Sequence, residues 1–509
     1  MNAASNSGRP EGNPVSLWVA TAATTGYPAP HGDVEVDVAV IGAGIAGLTA
    51  ALALKRTGRT VAVIETARVG TGVTGHTTGK VTSLHRLAYT ELARRHGTST
   101  VRTYGEANQA AIEHVAAVVA GEGIDCGFRR VANYTYAETD DAVARVREEA
   151  ALAARLGLPA TFTTDVPLPF PVKGAVRFDG QAQIHSVKYL QGLAAAVNGE
   201  GSFVFEGTPA QRVHDGSPAV VVTEGGAIRA NDIIVATNVP FGGQGLFYLR
   251  CHPHRSYLIA GRVDTPPLDA TFISAEEPLR SILTASVGGS SYVLIGGEGH
   301  RVSEAGDTAG RYRRLAAFAH DRLGVGEIAY RWSTQDGVPL DGLPYVGRMS
   351  PTAKHVYVIA GLRKWGLTNG TAAALILTDA LSGRENGWAS VFNSNRITPA
   401  ASAGRFMKEN AKTMATVLRG KLGGHPGHAA LAPGEGAVIK VNRESTAVYK
   451  DPDGQVRAVS AICTHLGCTV AFNSADTTWD CPCHGSRFGT DGSVIQGPAA
   501  KDLPSRPAP

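Results

Sequence analysis

Two short loops near the C-terminus, Cys463-Thr-His465-Leu-Gly-Cys468 and Cys481-Pro-Cys483-His484-Gly-Ser486, restrict this 509-residue chain more than any other feature. Each loop couples a cysteine to a histidine, with one residue between them in the first and two in the second, so both must close on one centre. Two thiolates with two imidazoles suit a tetrahedral zinc ion. They equally suit a [2Fe-2S] cluster with one iron on Cys463 and Cys481 and the other on the neutral imidazoles of His465 and His484. Zinc needs only four ligands and leaves Cys468 and Cys483, which repeat inside both loops, without a purpose.

The double loop resembles the Rieske proteins of cytochrome bc complexes. That resemblance implies a disulfide between Cys468 and Cys483 tying the loops, and Ser486 as a donor to a cluster sulfur. Exchanging two thiolates for imidazoles raises the reduction potential, which suits a one-electron relay. The family usually has a tyrosine two residues past the serine, where this chain has Phe488; one hydrogen bond fewer to the cluster lowers the expected potential. Membrane-bound relatives carry an anchor, but no window here reaches the roughly 18 apolar residues of a span, so no membrane span is expected.

At the other end, Val34 to Ile41 reads as a buried parallel strand. Gly42-Ala-Gly44-Ile-Ala-Gly47 follows at once and runs into an Ala- and Leu-rich helix, and a second strand from Thr60 to Ile64 ends in Glu65. Gly42 serves the tight turn, Gly44 lets backbone approach a pyrophosphate, Gly47 lets helix and strand pack closely, and Glu65 accepts from the ribose hydroxyls. Strand, helix, second strand and acid together predict dinucleotide binding, against the plainer reading of a glycine turn that merely packs a helix.

Later segments bear on which dinucleotide. Glu65-Thr66 leads into the stretch Arg68 to Gly79, whose Gly72, Thr74, His76, Thr78 and Gly79 could wrap a pyrophosphate and a flavin edge. A strand from Ala230 to Asn238 carries Thr237, and Val356 to Gly361 precedes Leu362-Arg363-Lys364-Trp365-Gly366-Leu367-Thr368-Asn369-Gly370 and a helix from Thr371 to Leu381. Here the chain resembles the D-amino-acid oxidase superfamily of FAD enzymes, which includes glycine and sarcosine oxidases, over roughly 34–387. The resemblance implies FAD, with Val213, Thr237, Gly361, Gly366, Leu367 and Thr368 among its contacts, and a helix N-terminus whose positive end faces the flavin. It also marks Lys364, and secondarily Arg363, as the cation for a substrate carboxylate or the flavin edge. A solvated basic turn is the alternative. Arg255, Tyr257, Arg262 and Tyr292 are weaker substrate-domain candidates, each readable as packing or surface. The segment Thr74-Gly-His76-Thr-Thr-Gly79 resembles one in dimethylglycine dehydrogenase-type enzymes where a histidine is covalently attached to FAD; His76 is otherwise a noncovalent neighbour. Gly296-Gly-Glu-Gly299 lacks a third glycine and a following helix, and reads as a turn of the substrate domain rather than a second nucleotide site.

The expected fold is thus an α/β Rossmann-like FAD-binding domain with an inserted α+β substrate domain, plus a small all-β Rieske domain at the C-terminus. An N-terminal extension spans 1–31, with an apolar patch at Leu17 and Trp18 that does not read as a signal peptide. FAD-binding pieces fall at about 32–87, 158–249 and 326–398, and substrate-domain pieces at about 88–157, read as helical, and 250–325. A bridge at 399–428 contains a helix from Arg405 to Leu418, and the Rieske domain covers 429–509. Net charge of +4 and no basic run argue against a nucleic-acid partner. Isolated Cys126 and Cys251 suit a reducing, cytoplasmic setting.

These features predict an FAD-dependent dehydrogenase that oxidises a small organic substrate, an amine or amino acid, and passes single electrons through the cluster to a one-electron acceptor. Two alternatives are an electron-transfer or redox-sensing flavo-iron-sulfur protein, and a Rieske-type oxygenase. The latter needs a mononuclear iron on two histidines and a carboxylate after the cluster, for which the residues beyond Gly497-Pro498 leave no room.

Overall fold

Every residue of the Val34–Ile41 strand from Val38 onward is buried, as a strand covered on both faces requires. It lies inside an eight-stranded sheet, paired in parallel with Val61–Ile64 and Ala227–Val235. Phe203–Phe205 and Val356–Ala360 extend the parallel order outward, and Tyr345–Arg348 closes one edge antiparallel. The helices Ile45–Lys55, Ser186–Val197 and Gly366–Leu381 share an apolar core with this sheet. The computed structural model describes residues 10–241, 244–304, 306–398, 431–442 and 444–508. The bridge expected at 399–428, with its helix from Arg405 to Leu418, lies outside the described residues.

A second sheet of nine strands runs Glu327–Pro339, Cys251–Val263, Ser290–Arg301, Arg280–Val287, Ala270–Ser274, Arg129–Ala137, Gly174–Gln183 and Lys80–Val81, with Ala160–Thr163 beside Gly174–Gln183. Four of these strands, Lys80–Val81, Ala160–Thr163, Gly174–Gln183 and Glu327–Pro339, fall in stretches expected to belong to the FAD-binding pieces. Periodicity marks a strand but not the sheet it joins, and the chain crosses between sheets more often than the domain boundaries anticipated. Arg129–Ala137 is likewise a strand inside a segment expected to be helical, between the helices Ala88–Gly121 and Asp140–Arg155. Those helices are tied by Glu149, buried within the charged run, whose two oxygens each accept from the backbone, Tyr89 N and Thr90 N, at 2.8 Å. Gly296 to Gly299 is no turn: it lies within Ser290–Arg301, where a Cβ on Gly297 would stand 2.2 Å from Leu279 O. A glycine in a strand marks such close approach.

The C-terminal domain is all β. Gly436–Val441, Glu444–Lys450 and Val456–Ser460 form one sheet; Ala471–Asn473, Thr478–Asp480, Arg487–Phe488 and Val494–Gln496 form another. Trp479 and Phe488 are fully buried at its centre. The N-terminal patch is also consumed by packing: Leu17 and Trp18 are buried, Trp18 Nε1 donates to Thr77 O at 2.8 Å, and Ser16 Oγ to Gly75 O at 2.5 Å. Among the described residues no helix is long and apolar enough to cross a membrane.

Candidate functional site

The turn after the first strand is built for backbone approach. Gly42 holds φ at +109°, and a Cβ there would meet Ala236 O at 2.7 Å; a Cβ on Gly47 would lie 2.0 Å from Gly42 O. Only glycine fits either position. Gly44 precedes Ile45–Lys55, whose first N–H is held by Thr74 Oγ1 at 3.2 Å. Glu65 accepts from Ala43 N at 2.9 Å and Ala67 N at 3.0 Å, which fixes its carboxylate beside the turn, and burial pushes its pKa upward.

This turn opens into a cavity of about 1400 Å³. Gly42, Gly44, Glu65, Thr66, Gly72, Thr74, His76, Thr78, Thr237, Arg363, Lys364, Gly366 and Leu367 all line it. Gly47, Gly79, Gly361 and Thr368 stand behind the wall and shape it: Thr368 Oγ1 donates to Thr82 O at 2.9 Å, and Gly361 holds φ at +70°. Val213 does not reach the cavity; it packs in the sheet core, and Pro209 and Ala210, just before its strand, take the lining position. His76 Nδ1 lies 2.8 Å from Gly72 O, and burial lowers its pKa. The helix Gly366–Leu381 begins five residues earlier than expected, so its N-terminus itself faces the cavity.

Lys364 is one of the cations that line the cavity. It adopts φ of +67°, is half-buried, donates from Nζ to Ser256 Oγ at 2.9 Å, and is pushed down to about 8 by burial against the attraction of Asp336. Asp336, also half-buried, is pushed up to about 6 by burial and held back by Lys364. Both line the cavity with Ser256 and His254. The strands bearing Asp336, Ser256 and His254 are distant in sequence from Lys364, and no local signal singles these residues out. Arg363 is engaged elsewhere, in an ion pair with Glu91 and a bond to Gly342 O at 3.3 Å. Tyr257 is buried, its hydroxyl 3.0 Å from His300 Nε2; Arg262 sits over the Tyr292 ring at 5.9 Å; neither pair lines the cavity.

The two Cys/His loops converge as their spacing requires. Cys468 and Cys483 form a disulfide with Cα atoms 6.6 Å apart, and the sulfurs of Cys463 and Cys481 hydrogen-bond one another. The rings of His465 and His484 stand 5.1 Å apart, nearly perpendicular, and the Nδ1 atoms of both are buried without any protein partner. Buried donors or acceptors left unpaired are rare and point to a missing ligand. Ser486 Oγ accepts from Ala499 N at 3.0 Å and bonds toward Cys463.

The Rieske-like domain closes the cavity. Arg487 and the stretch Val494 to Asp502 form part of its wall, and this stretch is tied to the first loop by Thr464 Oγ1 donating to Lys501 O at 2.5 Å. Across the seam Arg255, 1% exposed, reaches Asp480 Oδ2 at 2.5 Å and Asp476 at 3.5 Å, and Arg487 meets the same two acids at 3.3 and 2.9 Å. Arg255 is therefore neither surface nor substrate contact but a seam residue. Burial pushes Asp480 up and the two guanidinium groups more than offset it, leaving its pKa at about 2. The Tyr248 ring abuts His484 and His465 edge-on at 5.1 and 5.5 Å.

Comparison with known proteins agrees with this partition. Residues 37–380 match the FAD dependent oxidoreductase family model and 427–507 the Rieske [2Fe-2S] domain. YhfW of Bacillus subtilis (strain 168), named for a Rieske 2Fe-2S iron-sulfur centre, is 34% identical over 96% of this chain and 97% of its own. The iron-sulfur subunit of the pea (Pisum sativum) cytochrome b6-f complex is 35% identical over 25% of this chain and 56% of its own. Glycine oxidase from Geobacillus kaustophilus superposes with a TM-score of 0.61 at 20% identity, covering 72% of this chain and 99% of that one. FAD and a [2Fe-2S] cluster, which these families imply, fit the glycine cradle and the two orphaned imidazoles. The chain belongs to the FAD dependent oxidoreductase family and carries a Rieske [2Fe-2S] domain at its C-terminal end.

Proposed function

We propose that this protein oxidises a small amine or amino acid with FAD and passes the electrons singly, by way of the Rieske cluster, to a one-electron acceptor. The observation that carries the reading is the single cavity walled by the dinucleotide cradle, by the Lys364 and Asp336 pair, and by the Rieske tail. When bound, FAD accepts a hydride and the [2Fe-2S] cluster a single electron.

The protein's own residues prepare that chemistry. Gly42, Gly44, Thr66 and Thr74 would hold the pyrophosphate through backbone and hydroxyl contacts, Glu65 would take the ribose hydroxyls, and the helix N-terminus at Gly366 and Leu367, which faces the cavity, would favour negative charge on the flavin. Cys463 and Cys481 hold one iron, His465 and His484 the other. Lys364, with a charge that persists to about pH 8, anchors the substrate carboxylate. Asp336, raised to about 6, holds the substrate nitrogen and receives its proton, so that the reacting C–N unit lies neutral and oriented in a water-poor pocket. Such a zwitterion-matched pair favours an amino acid over a simple amine. The buried free thiols of Cys126 and Cys251 suit a cytoplasmic setting.

Anaerobic titration of the purified holo-protein with a panel of amines and amino acids, following flavin bleaching and then the electron paramagnetic resonance of the cluster, tests the reading. Bleaching by at least one amino acid with subsequent cluster reduction is expected. A flavin that no panel member bleaches would sink it.

A further inference from the structure

Gln335 belongs to both halves of the site at once. It is 2% exposed, sits on the Glu327–Pro339 strand one residue before Asp336, and lines the cavity. Its Nε2 donates to Gly485 O at 2.6 Å, and Gly485 directly follows His484. Its Oε1 accepts from Arg255 at 2.8 Å, so the guanidinium that engages Asp480 also orients the amide. Its backbone carbonyl accepts from Asn238 Nδ2 at 3.1 Å on the FAD side and from Gln496 Nε2 at 3.3 Å on the Rieske side. The cluster loop is shaped to receive it: Gly485 has φ of +80°, and a Cβ there would lie 2.4 Å from Gln335 Nε2 and 2.8 Å from Pro253 Cβ. A side chain at 485 would therefore force the loop away from the cavity wall.

We propose that Gln335 is the positioning residue that couples the cavity to the cluster, its amide holding the His484 loop against the cavity wall so that single electrons cross the seam there. The inference rests on the relay reading above. Oxidation of the substrate H–C–N–H unit to C=N would deliver the hydride to FAD and the proton to Asp336. Reoxidation of the flavin would release the hydride's proton and send its two electrons across one at a time, the cluster taking up a single electron per crossing and an external one-electron acceptor such as ferricyanide removing it before the next. Two crossings balance one substrate.

The test needs no knowledge of the substrate. In the intact holo-protein the flavin is photoreduced with EDTA under anaerobic light flashes, and the cluster's visible absorbance and paramagnetic signal are followed in time. Wild type, Gln335→Met and Gln335→Asn are compared; the last keeps the amide but withdraws it by one methylene. Both variants should retain FAD, iron and the wild-type signal of the dithionite-reduced cluster. Transfer to the cluster should slow severalfold in both variants, because electron tunnelling falls off exponentially with the gap between the two cofactors. Hydrogen exchange of the 480–488 segment should rise in both. If Gln335→Met loses its cluster, the Asn variant decides by the same readings. Transfer as fast as wild type in a cofactor-replete variant overturns the role of Gln335 and leaves the relay reading intact. A wild-type cluster that stays oxidised beside a bleached flavin overturns the relay reading, and the inference with it.

Discussion

Replacing Arg255 by methionine should undock the Rieske domain far more readily than it unfolds either half. The side chain is 2% exposed, against 12% for Asp480 and 10% for Asp476. Two arginines and two aspartates balance in the wild type; the variant leaves one carboxylate in excess in a buried seam. Removing one partner of a buried pair costs about 3–5 kcal/mol, and the remaining Arg487 places this case at the lower end, about 3 kcal/mol. Arg255 is the largest of the attractions that lower the Asp480 pKa to about 2, which agrees in direction. Urea titrations read by the visible dichroism of the cluster and by flavin fluorescence would separate the domains, with the cluster transition moving to lower urea at unchanged slope. Because the folded pKa of Asp480 lies below its unfolded value, its stabilisation is complete above about pH 4 and disappears as pH falls toward about 2. The gap between wild type and Arg255→Met should therefore close across that window. A cluster transition shifted by less than about 1 kcal/mol at neutral pH would refute the reasoning.

Glu65→Ala should weaken FAD retention by about 1.5–3 kcal/mol, the worth of a hydrogen bond to a charged group, measured as flavin content after gel filtration of dilute protein. Cys468→Ser should assemble a fragile cluster, whereas His484→Ala should assemble none; iron analysis and the Rieske paramagnetic signal distinguish them, and the reverse pattern would refute the ligand assignment. Lys364→Met should weaken amino-acid binding by about 1.5–3 kcal/mol. Because the Lys364 ammonium is lost as pH rises through about 8, wild-type affinity for an anionic substrate should fall above that pH and the variant's should not. Acid precipitation should release all the flavin, the outcome expected of His76 as a noncovalent neighbour; flavin retained in the pellet would show a covalent bond.

The parts of the site legible in the sequence are those made by consecutive residues. The glycine turn and the Cys/His pairs each sit within a few residues of a partner that defines their geometry, Glu65 follows the turn by about 20 residues through one helix and one strand, and the repeated Cys468 and Cys483 separate a cluster from zinc. Asp336, Ser256 and His254 meet Lys364 only because two neighbouring strands of the second sheet deliver them to one cavity. Sheet membership itself was the unreadable step: Glu327–Pro339 has the same alternation whichever sheet it enters, and assigning it to the FAD-binding pieces hid the strand that links both halves. The seam is less legible still. Arg255 and Asp480 are 225 residues apart, and an isolated arginine in a strand reads as surface until its acid appears.

That seam also explains why charge, rather than a larger apolar face, joins the domains. Undocking would return Arg255, Asp476 and Asp480 to water, which solvates them well, so the network as a whole adds little net affinity. Its effect is on register. Any docking displaced by a few ångströms would leave Arg255 or Asp480 buried without its partner, at a cost of several kcal/mol, and would also break the bond from Gln335 to Gly485. Seams between domains of one chain commonly permit relative motion. Here each misplacement is penalised by an unpaired buried charge, which favours one geometry between cavity and cluster over a swinging domain.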